Sequence, residues 1–197
     1  MFPMKVFIWM LALGLVGAEV VTEINNVEEA RIASEPEYEV SIMYLYDDTE
    51  DEKTRDLFLE ATKRLEGFAL FYSASCSNIP DFSYCQASKP LLLINKPPEY
   101  KVNPYTKKPM ETQHITFTKA QLEKTNAKEI TNSVLSIIPN YVQQLESDSI
   151  VHYQIIRYLN KVYLFTGRDQ IPPMFKALAA HYKNRMLVSL VKENSLE

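Results

Sequence analysis

The residues best suited to chemistry in this chain are two cysteines, Cys76 and Cys85, with eight residues between them. Three readings are open for this pair: a structural disulfide that closes a short loop, two separate half-buried thiols, or a redox-active pair. A thiol becomes a strong nucleophile when a nearby positive charge or a helix N-terminus lowers its pKa. Nothing cationic flanks either cysteine, and Lys89 is the nearest base in sequence. The redox reading is therefore the least favoured of the three.

A second concentration of reactive side chains is the acidic run from Asp47 to Glu52, which holds five carboxylates in six residues. Carboxylate oxygens suit calcium, but this run lacks the spacing and the turn glycine of a dedicated calcium loop. Acidic side chains that precede a helix accept hydrogen bonds from its first backbone N–H groups. We therefore read Asp48 and Asp51 as helix-capping residues and predict no metal and no other cofactor.

Histidine offers no catalytic constellation. His114, His152 and His181 are scattered, and none pairs with a serine or cysteine in a recognisable nucleophile motif. We read all three as surface or strand-end residues and name no catalytic residue, so binding is favoured over catalysis. The formal net charge is −4 and no basic stripe is present, which argues against nucleic acid as a partner.

The first 18 residues resemble a secretory signal peptide. Lys5 supplies a positive charge, Val6 to Val16 is an apolar run, and Val16 and Ala18 stand at the −3 and −1 positions of a small-residue cleavage site. The run is shorter than the roughly 20 residues that span a bilayer, although a retained anchor is the alternative. We expect a mature chain without a stable membrane span, in the endoplasmic reticulum lumen or secreted.

Apolar patterning predicts an α/β protein, because short continuous apolar runs alternate with runs at helical spacing. Strands are predicted at 20–24, 40–46, 68–73, 91–95 and 114–118, and helices at 27–34, 52–65 and 126–145. Residues 49–52 have the Thr-x-x-Glu form of a capping box, and Pro139 should kink or split the last of these helices. A strand at 161–166, a helix that starts at Pro172 or Pro173 and a strand at 186–191 follow.

This order of elements resembles that of thioredoxin, and three local features resemble the protein disulfide isomerase family. Met43 to Tyr46, followed by a turn and a helix, is similar to the approach to that family's active site. Cys76 and Cys85 resemble a cysteine pair that follows the central strand in many of its lumenal domains. Lys89-Pro90 resembles the segment in which a cis-proline precedes the next strand, so the resemblance implies a cis peptide there.

The resemblance implies a thioredoxin-like fold over residues 19–147, with a mixed central sheet flanked by helices. On this register Asp48 and Asp51 occupy the two cysteine positions of the usual Cys-x-x-Cys motif, which implies a redox-inactive domain. Residues 148–197 resemble the start of a second such domain. We expect the chain to be part of a longer tandem repeat; the alternative is a half-unit that packs on Ile130, Val134 and Ile138.

Together these features predict a non-catalytic thioredoxin-like protein of the endoplasmic reticulum or secretory pathway that binds polypeptide or partner subunits, in a chaperone or scaffold role. The candidate binding face surrounds Pro90 and includes the loop aromatics Phe82, Tyr84, Tyr100 and Tyr105. One alternative is a thiol-disulfide oxidoreductase that uses Cys76 and Cys85. Another is a structural subunit of a larger lumenal or membrane-associated complex.

Overall fold

The computed structural model describes residues 21–47, 51–98, 110–145, 160–168 and 170–192. The predicted signal segment at 1–18 lies outside this range, as do Asp48, Tyr100 and Tyr105. Within the described ranges, no helix is both long enough and apolar enough to cross a membrane.

The described residues form eight strands and five α-helices, together with one 3₁₀ turn, Ser83–Gln86. The strands are β1 Val21–Glu23, β2 Val40–Tyr46, β3 Ala69–Ser75, β4 Leu91–Lys96, β5 Gln113–Phe117, β6 Gln143–Leu145, β7 Asn160–Thr166 and β8 Met186–Lys192. The helices are α1 Val27–Ser34, α2 Glu52–Arg64, α3 Lys119–Leu122, α4 Ala127–Ile137 and α5 Pro173–His181.

The first five strands make one mixed sheet in the order β1-β3-β2-β4-β5. Strands β1 and β2 each pair with β3 in parallel, while β4 is antiparallel to both β2 and β5. Strand β2 is the middle of this sheet and is buried from Val40 to Leu45. A continuous apolar run is typical of a strand covered on both faces, and the predicted α/β class is confirmed.

Three helices of this domain begin with a side chain that accepts a backbone hydrogen bond. Asn26 accepts from Glu29 at the start of α1, and Asn126 accepts from Glu129 at the start of α4. Asp51 accepts from Lys53 and is the N-cap of α2. The predicted capping box is therefore wrong in position, because the helix begins two residues later than a cap at 49 requires.

Helices cover both faces of the first sheet, and each face has its own apolar core. The face under α2 and α4 is filled by side chains such as Tyr44, Phe58 and Ile130. The face under α1 also carries the 3₁₀ turn and is filled by Met43, Leu93, Ile79, Phe82 and others. Alternate residues of β2 and β4 face opposite cores, as the two-residue period of a strand requires.

One polar chain crosses the α1 face of the sheet. The side chain of Asn95 is fully buried and donates to the Oγ atom of Ser41 at 2.9 Å and to the carbonyl of Ala33. Ser41 also donates to the same carbonyl near the end of α1. Buried polar groups are stable when every one has a partner, so this chain fixes α1 against β2 and β4.

The last three strands make a second sheet, in the order β6-β8-β7, with all strands parallel. The strand, helix and strand predicted from residue 161 onward are confirmed, and α5 starts at Pro173, where a proline leaves no helical N–H unpaired. Its apolar core contains Val142, Ala179, Val188 and Leu190 and is separate from the core that includes Ile130.

Two polar contacts join the α5 region to the segment before β2. His181 Nδ1 lies 3.1 Å from the carboxylate of Glu39, and the amide of Asn184 donates to the hydroxyl of Tyr38. The ring of Tyr38 meets that of Tyr141 edge-on. Among the described residues, the two sheets have separate apolar cores.

Substitution of Asn95 tests the importance of the buried polar chain. Asn95→Ala should lower the free energy of unfolding by about 1–3 kcal/mol, because it removes the donors to Ser41 and Ala33. Urea denaturation measures this change, and Asn78→Ala, at an exposed position, is the matched control. An equal effect of the two substitutions would contradict the prediction.

Candidate functional site

Cys76 and Cys85 form a disulfide, with their Cα atoms 5.5 Å apart. Of the three readings that the sequence left open, two separate thiols are therefore not observed, and the pair is bonded. Cys76 is buried and Cys85 is half-buried, and both contact the core on the α1 face. The bond joins the residue that directly follows β3 to the 3₁₀ turn.

Backbone hydrogen bonds explain how the two cysteines meet. The N–H of Cys76 donates to the carbonyl of Tyr46 at 2.8 Å, so the chain leaves β3 beside the end of β2. The N–H of Cys85 donates to the carbonyl of Phe82 within the 3₁₀ turn. Phe82 and Ile79 anchor this connection in the core and bring Cys85 back to the end of β3.

The disulfide also corrects the sequence-based conclusion that this domain is redox-inactive. That conclusion rested only on the missing Cys-x-x-Cys motif, although Cys76 and Cys85 can themselves exist as a dithiol or a disulfide. A pair outside that motif can still exchange with other thiols. The missing motif therefore excludes exchange at the usual position of this fold, and it does not exclude redox chemistry at Cys76–Cys85.

Pro90 lies beside this loop, and the Lys89–Pro90 peptide bond is cis. Both residues are buried, and the Nζ atom of Lys89 donates to the carbonyls of Tyr84 and Ala87 on either side of Cys85. Burial lowers the pKa of the Lys89 ammonium, while the carboxylate of Asp47 acts in the opposite direction. Lys89 therefore holds the disulfide loop by hydrogen bonds.

The acidic residues that the sequence resemblance places at the cysteine positions have a structural role where they are described. Asp51 caps α2, as expected, while Asp48 lies outside the described residues. A group of three or more side chains that could hold a metal does not occur in the described part of the chain. Within the described part of the acidic run, helix capping by Asp51 is therefore the role that is observed.

Of the loop aromatics that the sequence suggests as an exposed patch, Phe82 and Tyr84 are described, and Phe82 is not exposed. Phe82 is buried in the core of the α1 face, with 6% of its surface exposed, because it anchors the disulfide loop. Tyr84 is half-buried and packs between Phe82 and His114. Tyr100 and Tyr105 lie outside the described residues, so only Tyr84 of the four reaches the surface in the described part.

His114 has a structural role that sequence reasoning missed. Its Nδ1 atom lies 2.8 Å from the Oδ1 atom of Asn95, which can only accept, so Nδ1 carries the proton. The rest of the ring lies at the surface of β5, against Tyr84. Burial of the inner edge of the ring lowers its pKa, and the carboxylate of Glu35 acts in the opposite direction. The buried polar chain therefore reaches the surface at β5.

The strand predicted at 114–118 is present as β5, and it is the outer edge of the first sheet. Four of its five residues are exposed, from Gln113 to Thr116. Ile115 is 36% exposed, and Met110 before the strand is 37% exposed. The edge of β5 away from β4 pairs with no described strand, and the outward-facing N–H and C=O groups of an edge of this kind can pair with a further strand.

A cleft of about 300 Å³ lies on the α2 side of the first sheet. Its aromatic floor includes the stacked rings of Tyr44, Tyr46 and Phe58, and Glu23 and Arg55 also line it. No sequence pattern indicates this cleft, because its walls come from β1, β2, β3 and α2, which only the fold brings together.

Comparisons with known proteins identify the fold of the chain. No protein-family model and no curated protein sequence matches the chain. Among solved structures, ERdj5 in crystal form II is similar over 90% of this chain, with a TM-score of 0.58 and 12% identity. The chain spans 23% of that ERdj5 chain. The described structure therefore has a thioredoxin-like fold, and the similarity includes the second sheet.

Other solved structures match over the same length with lower scores. The bb fragment of ERp72 has a TM-score of 0.44 and 13% identity, over 90% of this chain and 76% of that one. The zinc-bound form of human ERp44 has a TM-score of 0.41 and 12% identity, over 89% of this chain and 48% of that one. The fold assignment rests on the similarity to ERdj5.

Removal of the disulfide should destabilise the first domain. The bond closes a short loop, and limiting the unfolded chain in this way contributes about 2–3 kcal/mol. The double variant Cys76→Ala, Cys85→Ala should lose this amount in urea denaturation. Wild-type protein measured with excess dithiothreitol is the control, and an unchanged unfolding midpoint in both cases would refute a stabilising role.

The lowered pKa of His114 predicts a stability that depends on pH. The unfolded histidine takes up a proton near its ordinary pKa of 6.5, while the folded one does so only at lower pH. The folded state therefore loses stability as the pH falls from about 6.5 to the lowered pKa of the folded histidine. Above about pH 6.5 this histidine does not change the stability. His114→Gln keeps a donor to Asn95 and should flatten the dependence between about pH 7.5 and pH 5 in urea denaturation. A parallel pH dependence in the variant would contradict this assignment.

Proposed function

We propose that this chain is a thioredoxin-like protein of the secretory pathway that binds polypeptide, in a chaperone or scaffold role, through the edge of β5. The observation that carries the proposal is the exposure of this edge strand beside the surface made by Tyr84 and His114. An extended peptide adds to such an edge by main-chain hydrogen bonds, and neighbouring side chains select among peptides.

A location in the endoplasmic reticulum lumen or outside the cell is supported by two observations of different kinds. Both cysteines of the chain are in a disulfide, and such bonds persist in oxidising compartments such as the lumen. The first 18 residues resemble a secretory signal peptide. The thioredoxin-like fold is compatible with this location and does not decide it.

Binding is favoured over catalysis by the surroundings of the cysteines. A catalytic thiol needs an exposed thiolate, stabilised by a cation or the first turn of a helix. Cys76 is buried, and Cys85 lies inside a 3₁₀ turn of four residues and not in the first turn of an α-helix. The Lys89 ammonium is directed to the carbonyls of Tyr84 and Ala87.

A binding experiment with an edge variant tests the proposal. The probe is a reduced and alkylated polypeptide that cannot refold, carrying a fluorescent label. Ile115→Asp places a charge on the exposed apolar position of β5 and should weaken binding by about tenfold, as measured by fluorescence anisotropy.

Leu70→Asp is the matched control for this variant. Leu70 is exposed to a similar degree, 38%, but it belongs to β3, which is paired on both sides. Circular dichroism should show that both variants remain folded. Equal affinity of Ile115→Asp and wild type, or equal losses in the two variants, would remove β5 as the binding edge.

Thiol-disulfide exchange through Cys76 and Cys85 is the second candidate, because the pair is oxidised in the structure and Cys85 is half-exposed. An insulin reduction assay with dithiothreitol as the electron donor separates the two functions. A rate above background that disappears in Cys76→Ser, Cys85→Ser would support exchange. A rate that equals the background would leave polypeptide binding as the function.

A further inference from the structure

The direction of every hydrogen bond in the buried polar chain follows from its inner end. The carbonyl of Ala33 can only accept, and Ser41 donates its single hydroxyl proton to it. The Oγ atom of Ser41 therefore accepts, and Nδ2 of Asn95 is its donor at 2.9 Å. If the amide of Asn95 were turned over, its oxygen would face two groups that donate nothing. The Oδ1 atom of Asn95 is thus the atom that meets His114.

This order fixes the tautomer of His114. Because Oδ1 of Asn95 only accepts, the proton of the imidazole is on Nδ1, 2.8 Å away. A neutral imidazole has one N–H group, so Nε2 carries a lone pair and is an acceptor. Burial lowers the pKa of His114, against the opposite effect of Glu35, and the ring is therefore neutral at pH 7.5.

The accepting nitrogen lies on the outer side of the ring. The two nitrogens of an imidazole point to different sides of it, and Nδ1 is directed to the fully buried Asn95. His114 itself is exposed, and no hydrogen bond to Nε2 is present within the described part of the chain. The ring of Tyr84, with its centroid 5.7 Å from that of the imidazole, forms an apolar wall beside it.

The register of β4 and β5 shows which side chains share a face with His114. His114 lies opposite Asn95, and Thr116 lies opposite Leu93, whose side chain belongs to the core on the α1 face. Ile115 lies opposite Ile94, whose side chain belongs to the other core. A segment that adds to the edge of β5 alternates in the same way, so every second side chain lies on the face of His114.

We propose that Nε2 of His114 is a specificity-determining acceptor of the β5 edge, which selects extended segments that place hydrogen-bond donors, above all lysine or arginine, on its face. This inference rests on the proposed function and names the class of segment that it binds. A hydrogen bond from a charged donor is stronger than one from a neutral donor, whereas an ionised carboxylate has no proton to donate. The alternate side chains of the segment lie on the face of Ile115, where apolar residues fit.

Three labelled peptides of nine residues test the selection with the full chain. Each alternates valine with one guest residue, which is lysine, trimethyllysine or glutamate. Lysine and trimethyllysine have the same charge, but only lysine has N–H donors. At pH 7.5 the lysine peptide should bind at least about tenfold more tightly than either of the others, as measured by fluorescence anisotropy. Equal affinities of the lysine and trimethyllysine peptides would show charge attraction only and would overturn the proposal.

A pair of variants assigns the selection to one acceptor. His114→Phe removes Nε2, and the affinity for the lysine peptide should fall to that for the trimethyllysine peptide. Thr116→Val is the matched control, because Thr116 is exposed on the same face of β5 and its hydroxyl is the other acceptor there. This variant should keep the preference for lysine. A preference that survives in His114→Phe, or that is lost in Thr116→Val, would contradict the assignment.

Nitrogen-15 NMR of the imidazole reads the tautomer in the wild-type protein, so the test does not depend on how His114→Phe folds. The chemical shifts should show the proton of His114 on Nδ1, and the loss of these signals in His114→Gln assigns them. The lysine peptide should shift the Nε2 signal, and the trimethyllysine peptide should leave it in place. A proton on Nε2 at pH 7.5 would overturn the proposal.

Ile115→Asp separates this inference from the proposed function. If β5 is the binding edge, this variant weakens binding of all three peptides, and the ratio between lysine and trimethyllysine stays the same. Weaker binding together with a ratio of one would leave the β5 edge in place and remove the role of His114. Unchanged affinities in Ile115→Asp would remove the β5 edge, and this inference with it.

Discussion

Strand β2 is held on both sides by backbone pairing, in parallel by β3 and in antiparallel orientation by β4, and the first domain is organised around it. Because both neighbours are present, its side chains alternate between two cores, with Tyr44 directed to one and Met43 to the other. The helices on each face pack against these side chains. The site then follows, since the disulfide begins where β3 leaves β2 and the candidate edge β5 is carried by β4.

The polar chain through Asn95 connects this centre to the surface. It joins the end of α1, the middle of β2 and the edge strand β5, where His114 contacts Tyr84. The ring of His114 is exposed on one side and bonded to Asn95 on the other. A change at the surface of β5 therefore affects a hydrogen bond of the buried polar chain. The candidate binding edge is thus supported by the same contacts that fix α1.

The sequence by itself determined most of the elements and their order. The helix predicted at 126–145 was wrong in its second half, because α4 ends at Ile137, before Pro139, and Gln143–Leu145 forms β6. Capping residues such as Asn26 and Asn126, the proline start of α5 and the apolar runs of β2 and β4 act locally, so they can be read without the fold. The acidic residue Asp51 also had the capping role that its position suggested, although the cap at 49 was placed two residues too early. The resemblance to the protein disulfide isomerase family drew attention to the cysteine pair and predicted the cis peptide bond before Pro90.

Only the tertiary structure decided where the loop residues point and which edges stay open. Phe82 lies among polar residues in the sequence, but its side chain is buried, because the disulfide and Ile79 hold its loop against the core. His114 gave no local signal, since its partner Asn95 is 19 residues away in the chain. These contacts join residues that are distant in sequence, and local patterns of side chains do not encode them.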